Sequence, residues 1–350
     1  MAAVGIIVNP WAGKDVRRLH AAVGHTPDSA RIGIVRRVAI GALDAGARRV
    51  YAAADSSRVA ARAIAGLDGA ELVAGPGTGS ALDTRRAAGQ LLELDCTPIV
   101  VLGGDGTCRD AAIGGPGATL LAISTGTNNV FPRFIDGSSA GTAAGLVASG
   151  RVPLADVTAP AKRLVVTLVR PDGTTDTDIA LVDVAAIAST QTGSRAVVRA
   201  SAVRGVVAAI AHPSSTGLSA IAGRLQPIGR DEPGAVHVRL GDAAVCLRRV
   251  RVPIVPGQFD VLGVGAVERL MEGDTVTFDG PVVLAYDGER ERHVPAGAVA
   301  YVRVDRRGPA VVDVDRVLLR AAVDHLFDEP ARERACSSPS ATNTEAPDGH

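Results

Sequence analysis

The chain has 350 residues, room for two domains at roughly 150 residues each with a sizeable core in both. Hydrophobic residues make up 47% and charged residues 21%, ordinary globular usage that excludes wholesale disorder. Lys plus Arg total 37 against 37 Asp plus Glu, and this zero balance argues against a protein that lives on a nucleic-acid backbone or a membrane surface. The local basic groups, Arg248, Arg249 and Arg251, then Arg303, Arg306 and Arg307, are short and strand-like and read as solvated sheet faces. Cys96, Cys108, Cys246 and Cys336 show no C-x-x-C spacing, which fits a reducing cytoplasm and offers no zinc site. The opening residues lack a basic n-region and run straight into a strand, unlike a secretory signal, and no apolar run approaches the ~18–20 residues of a spanning helix. The expectation is a soluble, cytoplasmic protein without stable membrane association.

Short apolar runs at residues 4–8, 49–53, 70–73, 98–102 and 119–123 read as strands. Helical stretches at 28–45, 56–66, 81–94 and 139–149 alternate with them, the first opened by Pro27 and Asp28. Such alternation implies parallel strands with helical crossovers, a Rossmann-like α/β domain over residues 1–150. Beyond Pro153 the pattern changes to short β-branched runs at 163–170, 176–187, 236–240, 244–255, 275–278, 282–286 and 299–304. Gly, Pro and Asp turns separate them, so residues 151–328 read as a mostly antiparallel β-rich substrate domain. An alanine-rich stretch at 195–211 carries Arg195, Arg199 and Arg204 at helical spacing and reads as a packed helix. Residues 315–327 form a closing amphipathic helix, and the Ser-, Pro- and acid-rich tail at 329–350 reads as disordered.

The chemistry concentrates in loops at strand ends. After the strand at 98–102 comes Gly103-Gly104-Asp105-Gly106-Thr107. Glycines there let backbone N–H groups approach a polyanion, and a following helix N-terminus favours phosphate. A carboxylate in a phosphate cradle repels its ligand unless it takes a proton from an attacking hydroxyl or helps hold a magnesium ion. About twenty residues on, Ser124-Thr125-Gly126-Thr127-Asn128-Asn129 leaves the next strand. Neighbouring strand ends of a doubly wound sheet face one crevice, so Asn128 and Asn129 are candidates for contact with a nucleotide. Two weaker glycine-rich loops, Asn9-Pro10-Trp11-Ala12-Gly13-Lys14 and Gly75-Pro76-Gly77-Thr78-Gly79-Ser80, open on the same edge. Neither is a Walker A loop nor G-x-G-x-x-G, which argues against a P-loop NTPase and a standard dehydrogenase. Lys14, Arg109 and Arg133 are the candidate cations for a triphosphate.

The string from Gly103 to Thr107 resembles the signature shared by NAD kinases, diacylglycerol and sphingosine kinases and, more distantly, 6-phosphofructokinases. Val8-Asn9-Pro10 with Gly13, and Gly126-Thr127-Asn128-Asn129, resemble the diacylglycerol-kinase side of that superfamily. The run from Pro213 to Ala220, through Ser215 and Thr216, and the turn Tyr286-Asp287-Gly288-Glu289 look like the ATP-NAD kinase side. The whole is most similar to the ATP-NAD kinase-like family in its acetoin-catabolism protein X branch, from Val4 to about Phe327. The resemblance implies ATP as phosphoryl donor, a divalent metal such as Mg²⁺, and a small-molecule acceptor, with NAD favoured. It implies that Asp105 is the base or metal-polarising carboxylate and that Gly103, Gly104, Gly106 and Thr107 lie along the phosphates. It further points to Asn9, Asn128, Asn129, Asp183, Ser215 and Thr216 as nucleotide contacts. Homo-oligomers are common in that family, which leaves a homo-oligomer open here.

Two departures stand out. The Asn-Glu pair usual in NAD kinases is replaced by Leu181-Val182-Asp183-Val184, and the usual Gly-Ser-Thr-Ala-Tyr run by Ser214-Ser215-Thr216-Gly217-Leu218. Asp183 either binds a ribose hydroxyl or sits on a solvated face, and Asp287 is either functional or simple hairpin chemistry. Gly137-Ser138-Ser139-Ala140-Gly141 matches a hydrolase nucleophile elbow but lacks the strand that must feed it, and reads as a helix start. The expected activity is therefore ATP-dependent phosphoryl transfer to a hydroxyl, most simply NAD to NADP. A lipid or other small-molecule kinase of the diacylglycerol kinase type is the alternative. A nucleotide-binding regulatory protein without turnover is the reading from another class.

Overall fold

Strands buried along nearly their whole length need cover on both faces, and the central strands of the first sheet are of this kind. The computed structural model describes residues 2–11, 27–75, 77–126, 128–188, 200–288 and 290–328. In its first half, β1 (Ala3–Val8), β2 (Arg49–Ala53), β3 (Ala70–Val73), β4 (Cys96–Gly103) and β5 (Thr119–Ser124) alternate with five helices. These are α1 (Asp28–Asp44), α2 (Val59–Ile64), α3 (Ala81–Glu93), α4 (Asp105–Gly114) and α5 (Gly137–Ala148). The strands lie in the order β3-β2-β1-β4-β5, all parallel, as the alternating pattern of the sequence implies. Val4, Ile6, Val100 and Leu102 face α1, α2 and α5, whereas Ile7, Ile99 and Val101 face α3 and α4. The hydrolase-like string is a packing seam: a Cβ on Gly141 would stand 2.4 Å from the Val38 carbonyl of α1, so glycine lets the two backbones touch.

The second half opens with α6 (Leu154–Val157) and β6 (Thr158–Pro160). Next come β7 (Arg163–Val169), β8 (Thr175–Ala180), β9 (Asp183–Ile187), β10 (Val203–Ala208), α7 (Ser219–Gly223) and β11 (Ala235–Gly241). Then follow β12 (Arg248–Val255), β13 (Gln258–Leu270), β14 (Thr275–Asp279), β15 (Val282–Tyr286), β16 (Arg290–Val294) and β17 (Val299–Asp305). One antiparallel sheet has the order β12-β13-β11-β10-β9-β15-β16, the other β14-β17-β7-β8. Leu164, Val166 and Val302 of the smaller sheet pack on Val184, Leu284 and Tyr286 of the larger in one shared core. The fold is thus a parallel α/β unit joined to an antiparallel β-rich unit.

The expected boundary at residue 150 is crossed at both ends of the β-rich unit. β6, β18 (Ala310–Val312) and α8 (Val314–Val323) extend the first sheet and its helical layer, with β18 parallel to β5 and β6 antiparallel to β18. Val312, Val317 and Ala321 enter the same core as α1 and α5, so apolar burial brings the chain back to the first unit.

Other expectations shift for physical reasons. The single strand expected at 176–187 is two strands, β8 and β9, in different sheets, broken where the Leu181 and Val182 amides turn to bind a side chain. The helix expected at 195–211 is a strand over Val203–Ala208; its three valines favour extended backbone, and it pairs with β9 on one side and β11 on the other. Residues 195–199 and the tail at 329–350 lie outside the described residues. β13, interrupted by Gly263 and Gly265, carries no clean alternation and went unforeseen. Among the described residues no helix is long and apolar enough to cross a membrane.

Asp305, buried at the end of β17, gathers Arg163 from β7 at 2.9 Å and Arg307 at 3.2 Å. Burial alone would raise its carboxyl, but hydrogen bonds from Arg307 and Arg163 outweigh burial and hold it down at about 2. A depressed carboxyl stabilises the fold fully above its unfolded value of 3.8 and loses that contribution as pH falls towards about 2. Asp305→Asn should cost about 2 kcal/mol at neutral pH. Melting temperatures across the acid range should fall less steeply for the variant than for the wild type.

Candidate active site

In the order β3-β2-β1-β4-β5 the chain reverses direction across the sheet between β1 and β4, and ligands of such sheets bind beyond the strand ends at that point. Asn9 follows β1 there, and Gly103-Gly104-Asp105 joins β4 to α4. The Asn9 amide N–H donates to the Leu102 carbonyl at 3.0 Å, and its Nδ2 donates to Thr107 Oγ1 at 2.9 Å. Thr107 is buried against Gly103, where a Cβ would stand 2.5 Å from the Thr107 Cβ. Gly103 therefore makes room for the first turn of α4 to fold back on its own strand.

Asp105 is buried on that first turn. Its Oδ1 accepts from the amides of Phe131 at 2.8 Å and Val130 at 3.0 Å, and Oδ2 accepts from Val130 at 3.2 Å. Asn129 Nδ2 donates to Ser124 Oγ at 2.8 Å and to the Gly103 carbonyl at 3.3 Å. The loop after β5 is thus laid against the loop after β4. Asn128 is half-buried beside it with no side-chain hydrogen bond among the described residues, and Thr127 lies outside them.

The β-rich unit closes the other side. Leu181, Val182 and Ile210 pack with Cys108, Ala122 and Phe131, which brings the start of β9 and the buried Asp183 to the junction. Asp287, at φ +49° in the β15–β16 turn, is also buried and accepts from the amides of Val182 at 2.7 Å and Leu181 at 3.0 Å. Burial pushes its carboxyl above the ordinary range, against the pull of the Val182 amide and the Arg109 charge. Hairpin chemistry alone does not describe Asp287: it fixes the backbone that leads into Asp183. Arg109 is fully buried, hydrogen-bonded to the Ile179 carbonyl and paired with Asp178, with its guanidinium 5.4 Å from the Tyr286 ring. It joins the two units and is no candidate for a triphosphate cation. Lys14 lies outside the described residues, and Arg133 is half-exposed, 3.7 Å from Asp315.

Arg230 is the residue the sequence did not single out. Its guanidinium donates to the Phe131 carbonyl and lies 4.7 Å from the Phe131 ring centroid, gripping the peptide whose amides hold Asp105. It follows no motif and is recognised only once the fold sets residue 230 beside residue 131. Ser215 and Thr216 sit on a half-buried turn before α7, where the Gly217 amide donates to Pro253 at 2.9 Å. No hydrogen bond among the described residues joins them to the Asp105 turn. Leu218, in the place of the usual tyrosine, is buried in the core under α7.

The comparisons with known proteins agree with this architecture. The family described as "Acetoin catabolism protein X C-terminal domain" matches residues 162–307. Acetoin catabolism protein X of Cupriavidus necator is 34% identical over 341 residues, covering 93% of each chain. The chain belongs to the acetoin catabolism protein X family. Within that family its fold is the one seen in the crystal structure of a yeast NADH kinase complexed with NADH. That likeness has a TM-score of 0.51 at 14% identity and covers 95% of this chain and 89% of the other.

Gly103→Ala tests the local packing on which the site rests. It should lower the unfolding free energy by about 1–3 kcal/mol, read by denaturant titration, because the new methyl cannot coexist with Thr107. Wild-type stability in that variant would contradict the close packing of Gly103 on Thr107.

Proposed function

We propose that this member of the family is an ATP-dependent kinase that transfers the γ-phosphoryl group to a hydroxyl, with NAD as the leading acceptor and NADP as product. The observation that carries this reading is the position of Asp105: a carboxylate on the first turn of a helix, at the strand-end crevice where the sheet order reverses. In the reaction the acceptor oxygen forms a bond to the γ-phosphorus, the bond to the bridging oxygen breaks, and ADP leaves. The acceptor's proton passes to Asp105 or, through water, to solvent. Amides of Gly104, Gly106 and Thr107 lie along the phosphates, and Asn128 reaches the nucleotide. Asn9 and Asn129 serve by shaping the two loops, since their side chains are spent on Thr107, Ser124 and Gly103. Asp183 faces the acceptor, while Ser215 and Thr216 border the far side of the cleft. The enzyme would act in the cytoplasm.

A divalent metal fits this donor set in one way. No cluster of three or more His, Cys, Asp or Glu among the described residues forms a protein cage. Mg²⁺ is commonly held by one or two carboxylates together with substrate phosphates. Asp105 supplies the carboxylate, and the ion, when bound, neutralises charge on the phosphate oxygens.

One observation favours a second reading, a nucleotide-binding regulator without turnover. The Asp105 carboxylate already holds two loop amides, which is a structural task in its own right. Purified protein with ATP, NAD and Mg²⁺ separates the two. The kinase reading expects NADP from the wild type and about a hundredfold less, or lower still, from Asp105→Asn at equal folding. Equal NADP from both would remove Asp105 from the chemistry. ATP binding without product from NAD, a lipid or a small polyol would establish the second reading.

A further inference from the structure

A cavity of about 520 Å³ lies outside the crevice at the Asp105 turn, between the segment after β5, the β6–β18 pair and the start of α8. Its volume falls in the range of small-molecule sites, roughly 300–1,000 Å³. Asn9, Gly103 and Asp105 do not line it, and Phe131 and Arg230 are the residues it shares with the crevice. Part of its lining is apolar, with residues such as Ala122, Val311 and Leu318. Four cations also line it: Arg133, Arg230, Arg306 and Arg316.

Of the four lining carboxylates, two are committed to helix caps. Asp136 caps α5 through the Ser138 amide at 2.8 Å and lies 3.4 Å from Arg37. Asp313 caps α8 through the Arg316 amide at 3.2 Å. Asp315 is exposed and weakly paired with Arg133 at 3.7 Å. Arg306, half-buried, makes no ion pair among the described residues, and Asp231 is the one remaining acid of the lining. Lys162, buried beside the lining residue Ala161, donates to the Gly229 carbonyl at 2.8 Å and is lowered to about 8, chiefly by burial, then by Arg269, with Arg306 contributing in the same sense. Burial also lowers Arg230, and the nearby Arg133 charge adds to that. Cations crowded beside apolar side chains gain from an anion that a neutral ligand cannot replace.

We propose that this cavity is a second ligand site, for a small organic anion with an apolar body and one terminal carboxylate or phosphate. Arg306 and Arg230 hold the anionic end, and the apolar side chains of β18 and α8 take the apolar body. The site stands apart from the phosphoryl-transfer reading, because binding needs neither ATP nor turnover.

Calorimetric titration of the full chain, without nucleotide, tests it with phenylbutyrate and phenyl phosphate as probes and phenylbutanol and phenylbutylamine as uncharged and cationic controls. At least one acid should bind, and phenylbutanol should bind about tenfold more weakly or worse. Arg306→Ala should weaken the acid by a similar factor, and Arg306→Lys should restore part of it. Ala159→Phe, at an exposed position on the cavity rim, should abolish binding with an unchanged melting temperature. The two acids separate a carboxylate from a phosphate preference. Equal binding of alcohol and acid, full acid binding in Arg306→Ala, or no binding of either acid by the wild type would overturn the proposal.

Discussion

A buried carboxylate must find donors, and the way Asp105 finds them governs the arrangement around it. Its partners are two consecutive amides of the neighbouring loop, so satisfying one side chain also fixes the path of residues 128–131. Arg230 then binds the same Val130–Phe131 stretch through its carbonyls and ring, which ties the β-rich unit to that loop. Asp287 repeats the device on the far side, holding the amides of Leu181 and Val182 where β8 gives way to β9. Two carboxylates, each closing a turn from outside, set the junction between the units. Arg109, held between Asp178 and the Tyr286 ring, adds a third tie across it.

Much of the first unit was legible in the sequence because its signals are local. Arg49–Ala53 and Ala70–Val73 fall at the expected residues, and the turn from Gly103 to Thr107 stands at a strand end, as its glycines require. Long-range features were not legible. Val203–Ala208 lies inside an alanine-rich stretch, and its pairing with β9 and β11 settles it as a strand. The return of β18 and α8 to the first sheet depends on a partner strand about 190 residues earlier in the chain. Within the site, the residue types were readable but their tasks were not. Asn9 and Asn129 look like ligand donors in sequence, yet in the fold their amides brace loops. Arg230 carries no motif at all.

The family assignment and the fold bear differently on function. Membership in the acetoin catabolism protein X family rests on likeness across nearly the whole chain, whereas the kinship with a yeast NADH kinase is one of fold. The departures from the NAD kinase pattern also divide physically. Leu218 is absorbed into a hydrophobic core and so has left any nucleotide surface. Asp183 is buried at the junction between the units, on backbone fixed by Asp287. On the proposed kinase reading, acceptor choice is the property most open to change, since phosphoryl transfer needs chiefly positioning and charge stabilisation.

The proposed kinase reading puts nucleotide phosphates at the reversal point of the parallel sheet, over the clasp formed by Asp105. Amide hydrogen exchange of the full-length protein, with and without ATP and Mg²⁺, addresses it without presuming turnover or acceptor. Slowed exchange should concentrate at residues 103–108 and 125–131, and that pattern should be lost in Asp105→Ala. Protection confined to other segments, or none under conditions where ATP binds, would contradict it.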